Sequence, residues 1–364
     1  INTITPTNDT TPTITGTGLV PGFTVTLFEG SNTIGTTVIL TDSASPWPWA
    51  FTLSSALTDG SYIITATKTD SVGNVSPASA AQTLVINTTA PSQPVINPIS
   101  TPTNDNTPTI TGTGVAGHTI TLYVGSVDVG TATVASNGSW SISAVFAWVQ
   151  GSSYIITAKA TDPAGNVSAA SDAQTIFVDT TPPSAPFINI IPPTNDTTPI
   201  ITGYFSNAGD TITLFEGSNS IGSVIASSDQ WSITTSALAE GSYTITAKAT
   251  DPAGNISVAS DAHTLVIDTT PPSAPGINTI TPTPTTDSTP TISGTGTIGD
   301  TITLYAGSTI IGTATVANSA WSITTSTLGD GSYTITAKAT DPAGNVSVAS
   351  AAQTLVIDTT PPSA

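Results

Sequence analysis

Residues 241–255 read GSYTITAKATDPAGN, and this stretch decides the fold. From Tyr243 onward every second residue is apolar or small. Tyr243, Ile245, Ala247 and Ala249 share one face of an extended chain, and Thr and Lys take the other. A period of two marks a strand with one face in a core. Asp251-Pro-Ala-Gly-Asn then supplies a side-chain acceptor, a preset φ and a residue that tolerates positive φ, which is the chemistry of a tight turn.

The stretch returns at 331–345, as SSYIITAKATDPAGN at 152–166, and in the weaker form GSYIITATKTDSVGN at 60–74. Asp70, Asp162, Asp251 and Asp341 follow one another at intervals of 92, 89 and 90 residues, and so do Tyr62, Tyr154, Tyr243 and Tyr333. Asn87, Asp179, Asp268 and Asp358 repeat at the same intervals. A unit of that length is too long for a solenoid repeat and suits a small self-contained domain. The boundaries fall in NTTAPS and in the DTTPPSAP runs, which divides the chain into modules 1–90, 91–181, 182–270 and 271–364. Pro-rich junctions this short are stiff, so the modules are expected to form an elongated rod of roughly 150 Å. The final DTTPPSA runs into the opening INTITPT in the register of DTTPPSAPGINTITPT at 268–283, so the chain reads as an excerpt from a longer array.

The third module shows the pattern best. FINII at 187–191 reads as a first strand, PPTND as a turn and TTPIITGYF as a second strand. SNAGD turns into TITLFEG, and SIGSVIAS, WSITTSA, SYTITAKATD and DAHTLVID follow with turns between them. About seven short strands separated by frequent turns make a two-sheet sandwich.

Composition bounds the function. The chain has 364 residues, four Lys, no Arg and 23 acids, of which 20 are Asp, for a formal charge of −19. Nucleic acid and anionic membranes are excluded as partners, and cations are attracted. No apolar run approaches the roughly 20 residues that span a bilayer. Without Cys there is no disulfide and no thiolate site. The two His, His118 and His263, occupy non-equivalent places and form no triad or zinc cluster, so no enzyme activity is expected.

The corner Gly241, the following Tyr243, and Ile245 where antibody domains keep a Cys resemble the penultimate strand of an immunoglobulin-like fold. With the TPT-I-GT second strand, the TDPAGN turn and the V-I-D-TTPP junction in fixed order, the chain resembles bacterial immunoglobulin-like repeats of large secreted surface adhesins. The resemblance covers all four units. It implies an all-β chain of four tandem immunoglobulin-like β-sandwich domains, placed outside the cell at a bacterial surface. It also implies that the segment is a spacer whose partners are the neighbouring repeats of its own longer chain.

In such a sandwich Asp9, Asp105, Asp196 and Asp287 lie at the C-terminal pole. The corner acids Asp59, Glu240 and Asp330 lie there too, as do the linker residues Asn87, Asp179, Asp268 and Asp358. Asp70, Asp162, Asp251 and Asp341 lie at the opposite pole. Stacking gathers Asp9, Asn87 and Asp162 at the first joint, Asp105, Asp179 and Asp251 at the second, and Asp196, Asp268 and Asp341 at the third. Asp287 and Asp358 face whatever follows.

Two readings of these acids stand side by side. Carboxylates gathered at a dry joint repel unless a cation sits among them, and Ca²⁺ takes such oxygens. Related adhesin repeats use interdomain Ca²⁺ for stiffness, which the resemblance carries here. Alternatively the acids only open turns, although the linker Asp closes a strand where no turn type demands an acid. Asn87 in place of that Asp makes the first joint the weakest expected site.

Trp140, Trp231 and Trp321 read as core anchors with Phe51 as their counterpart, and Trp47, Trp49 and Trp148 as module-specific aromatics that could bind a ligand. Lys159, Lys248 and Lys338 take the outward parity of the Tyr strand, which argues against an isopeptide staple, whereas Lys68 takes the inward one. The rival to a spacer is a self-assembling filament or sheath joined through sheet edges that carry few charges.

Overall fold

A computed structural model describes residues 1–18, 20–39, 46–205 and 207–361. Residue 206 of the expected SNAGD turn and residues 362–364 of the final run lie outside them. Among the described residues there is no helix, and so none long and apolar enough to cross a membrane. The chain divides into two compact units, Ile1–Thr181 and Pro182–Ala364. Each holds two separate hydrophobic cores, one per module.

In the third module, Phe187–Ile188, Ile200–Tyr204 and Gln230–Thr234 form a three-stranded sheet. Asn219–Ile225, Thr211–Glu216, Gly241–Thr250 and His263–Ile267 form a four-stranded one in that order. Neighbouring strands run antiparallel. The second and fourth modules repeat this topology, and in the first the three-stranded sheet keeps two strands, Thr13–Gly18 and Trp47–Thr52. The alternation read from the sequence is the alternation of burial: Ile245, Ala247 and Ala249 are fully buried, with Thr and Lys between them half-buried.

Each core holds a Trp ring packed directly against a Gly. Trp231 faces Gly203 in the register, and a Cβ on Gly203 would lie 2.3 Å from Trp231 Cζ2 and 1.9 Å from the Phe187 carbonyl oxygen. The Gly in the TGT-type second strand is therefore required by close approach from both sides. The pairs Gly112–Trp140 and Gly294–Trp321 match. In the first module the partner of Gly16 is Trp49, 4% exposed, and not Phe51. Phe51 instead stands opposite Ile14, two residues on, where the other modules carry Ile. Trp148 is likewise buried, 3% exposed, with its ring 4.8 Å from Tyr154. Neither is available to a ligand, and half-buried Trp47 packs on the first core.

FINII is shorter as a strand than its sequence suggests. After Ile188 the chain leaves the first sheet, and Thr194 forms a parallel bridge to Ile267 of the last strand. Pro192 and Pro193, lacking N–H donors, occupy the crossing. The same bridge recurs at Thr7–Ile86, Thr103–Val178 and Thr285–Ile357, and it fixes the C-terminal pole of each module.

Candidate functional site

The turn that opens the Asp-Pro-Ala-Gly-Asn segment is locked by its own ends. In the second module Asp162 N–H donates to the Asn166 carbonyl (3.0 Å) and Gly165 N–H to the Asp162 carbonyl (3.1 Å). Asp162 Oδ1 accepts from the N–H groups of Ala164 (2.9 Å) and Asn166 (2.8 Å), and Oδ2 accepts from Asn166 Nδ2 (2.9 Å). Asp and Asn are therefore one device, a carboxylate clasped by the amide four residues on.

The first joint is built on that turn. The Thr7 bridge to the last strand of the first module presents Asn8, whose N–H donates to the Ala164 carbonyl at 3.0 Å. Asn87 Nδ2 donates to Asp162 Oδ2 at 2.9 Å, and Asn166 Nδ2 donates back to the Asn87 carbonyl at 2.7 Å. Asp162 is 7% exposed and Asn166 8%. Burial raises the Asp162 pKa, but the donors from the Asn166 side chain and backbone, Ala164 and Gly165 outweigh it and hold the carboxyl below the usual range.

The third joint, inside the second unit, uses the same main-chain contacts. Asn195 N–H donates to the Ala343 carbonyl (3.0 Å), and Asn345 Nδ2 to the Asp268 carbonyl (2.7 Å). Asp341 accepts from Asn345 N–H and Nδ2, both at 2.9 Å. Here the linker side chain is a carboxylate, Asp268, where the first joint has the Asn87 amide.

The other expected site residues turn inward to their own loops. Asp9, Asp105, Asp196 and Asp287 each accept at Oδ1 from the N–H two residues on, of Thr11, Thr107, Thr198 and Thr289, all at 2.8 Å, and from the same hydroxyl. The residue before the Asp reaches the next module: Asn8 at the first joint and Asn195 at the third. Asp105 and Asp179 belong to the first unit and Asp251 to the second. Asp251 clasps Asn255 in its own turn.

The linker Asp also has a local task that the sequence did not disclose. Asp268 Oδ1 accepts from Thr270 N–H (3.0 Å), Asp358 from Thr360 (3.1 Å) and Asp179 from Thr181 (3.1 Å), and Asn87 does the same with Thr89 (3.1 Å). Each is an Asx turn, so a turn type does demand an acid or amide there. The corner acid completes it. Glu240 Oε2 accepts from the hydroxyls of Thr269 and Thr270, both at 2.8 Å. Asp330 holds Thr359 and Thr360, Asp59 holds Thr88 and Thr89, and Gln150 replaces the acid in the second module, holding Thr180. The Thr-Thr pair about 30 residues after each corner acid was the legible signal.

Whether calcium suits these joints turns on donors and acceptors. A carboxylate offers about four lone-pair sites. Those of Asp162 are met by Ala164, Asn166 twice and Asn87, so the first joint does not fit a cation. At the third joint Asp341 is clasped by Asn345 alone and Asp268 brings a second carboxylate, a donor set that suits a hard cation. Among the described residues no three His, Cys, Asp or Glu side chains converge to hold a metal by themselves.

A family model described as bacterial Ig-like domain matches residues 3–88, 98–180, 192–269 and 280–359. The chain is 32% identical over 238 residues to Exoglucanase B of Cellulomonas fimi, covering 58% of this chain and 21% of that one. It is 33% identical over 191 residues to Chitinase A1 of Niallia circulans, covering 49% and 26%. It therefore spans only about a quarter or less of the length of these curated relatives. Among solved structures, a tetra-tandem repeat in the extending region of a large adhesion protein is 22% identical over 96% of both chains, with a TM-score of 0.28.

Proposed function

The chain belongs to the bacterial Ig-like domain family, and we propose that it works as a structural extender of a bacterial cell-surface adhesin, outside the cell. The observation that carries this reading is the reciprocal lock at the first joint. Asn87 donates to Asp162, Asn166 donates to Asn87, and Asn8 donates to Ala164, so two modules exchange three hydrogen bonds through a short linker. Residues that serve to hold one module to the next, at the first joint and again at the third, suit a part whose task is reach and stiffness. The third joint, with Asp268 and Asp341, is where calcium adds to that stiffness in this reading.

The test is scattering and calorimetry on the chain, in calcium and in chelator. An extender keeps a constant maximum dimension with concentration, and calcium raises the melting temperature of the second unit only. If the dimension grows with concentration, the chain is an assembling protomer and the extender reading falls.

A second spacer setting is supported by the likeness to Exoglucanase B and Chitinase A1, polysaccharide-degrading enzymes by their names. There the same stiffness would separate one part of an enzyme from another. The filament alternative meets an obstacle at the sheet edge. The outer strand of every four-stranded sheet carries a register shift beside its Gly, at Gly35, Gly130, Gly222 and Gly312. A bulge of this kind twists an edge away from partners.

A further inference from the structure

Asp300 stands opposite Asp341. Thr301 pairs with Thr340 and Ile302 with Ala339, so one more step of the same register sets the two acids face to face where both strands open into turns. Directly opposed strand residues have Cβ atoms about 4.5–5.5 Å apart, and like charges so placed repel. Asp300 is also 3% exposed, and its Oδ2 is fully buried with no hydrogen-bond donor. Burial, and after it the charge of Asp341, push its carboxyl above the usual range, against one hydrogen bond from Thr297. An ionised acid in that setting calls for a positive partner.

The other modules fill the place differently. The N–H groups of Ile39, Val134, Ala226 and Val316 donate to the carbonyls of Phe23, His118, Asp210 and Asp300, which marks these four as equivalent. In the first module the ring of Phe23 lies under Lys68 Nζ, 5.9 Å away, so an apolar residue and a cation replace the acid. The second module sets an imidazole against Asp162. Only the third and fourth set acid against acid.

We propose that Asp300 and Asp341 bind a divalent cation of the calcium class at the N-terminal pole of the fourth module. The site deepens the calcium reading of the third joint and rests on it for the identity of the ion, but both carboxylates belong to one module. Calcium takes six to eight oxygens, so main-chain carbonyls and water complete the shell. The ion supplies Oδ2 of Asp300 with its missing partner and cancels the repulsion across the strand pair.

The experiment is calcium titration of the whole chain by calorimetry, with thermal unfolding in calcium and in chelator, for the parent, Asp300→Asn and Asp268→Asn. The expected result is that Asp300→Asn loses a bound calcium and its part of the calcium-dependent rise in melting temperature, while Asp268→Asn, which removes a ligand of the joint alone, keeps that ion. Near-ultraviolet circular dichroism of Asp300→Asn in chelator should match the parent, which separates loss of the ion from loss of the fold. If Asp268→Asn loses the calcium and Asp300→Asn keeps it, this proposal is overturned and the joint reading survives. If the parent binds no calcium, both fail, and a proton shared by the two acids takes the ion's place.

Discussion

Asn87 Nδ2 donates to Asp162 Oδ2 at 2.9 Å across the first joint, and this contact supplies the fourth donor to a buried carboxylate. Replacing Asn87 by Ala leaves that lone pair without a partner, which costs about 1–3 kcal/mol for a buried acceptor. The loss should appear in the first unit, as a lower melting temperature of that unit with the second unchanged. Asn87→Asp should cost more in chelator, since it sets a second carboxylate against Asp162.

Acid should act oppositely on Asp162 of the second module and Asp300 of the fourth. The folded pKa of Asp162 is depressed, so its contribution is present above the unfolded value of about 3.9 and is lost as pH falls through the folded one. The folded pKa of Asp300 is raised, so in chelator its contribution is complete below the unfolded value and is lost as pH rises through the folded one. Melting followed in chelator as pH falls from 7 toward the unfolded value of about 3.9 should show the fourth module gaining stability through Asp300. The Asp300→Asn variant should lack that gain, and an equal gain in the variant would refute the assignment.

Much of this was legible. Alternation placed the Tyr strand, and the interval between Asp residues placed the modules. Trp140, Trp231 and Trp321 were rightly read as core because each precedes an alternating apolar residue, and they are about 3% exposed. Phe51 was misread because Trp49-Ala-Phe-Thr offers two aromatics at strand parity, and only the register with Gly16 separates them. The joint was harder. Its main contacts run from the N–H groups of Asn8 and Asn195 and from the amides of Asn166 and Asn345, and backbone donors leave no mark in a sequence. Attention to charge picked out Asp9 and Asp196, whose carboxylates serve their own loops.

The glycine under each Trp should be intolerant. A Cβ at residue 203 meets both the Trp231 ring and the Phe187 carbonyl oxygen, and the backbone oxygen cannot swing aside. Gly203→Ala should destabilise the third module by about 1–3 kcal/mol or more through overpacking. Denaturant unfolding should show a lower midpoint for one transition. At Gly241, where an added Cβ meets only the Tyr243 ring at 3.7–3.8 Å, any cost comes from the positive φ of 154° and not from crowding.

The threonine clamp should govern the linker and not the core. Glu240 and Asp330 are surface acids whose carboxyls are held below their ordinary values, first of all by side-chain hydrogen bonds from the linker threonines. Their bonds tie residues 269–270 and 359–360 to the corner that precedes the Tyr strand. Glu240→Ala should therefore speed amide exchange at Thr269 and Thr270 while the unfolding midpoint of the third module stays in place. Glu240→Gln, which keeps an acceptor as Gln150 does in the second module, should restore slow exchange. If Glu240→Ala instead lowers the midpoint and leaves exchange at Thr269 unchanged, the acid supports the corner itself and the linker is held by Asp268 alone.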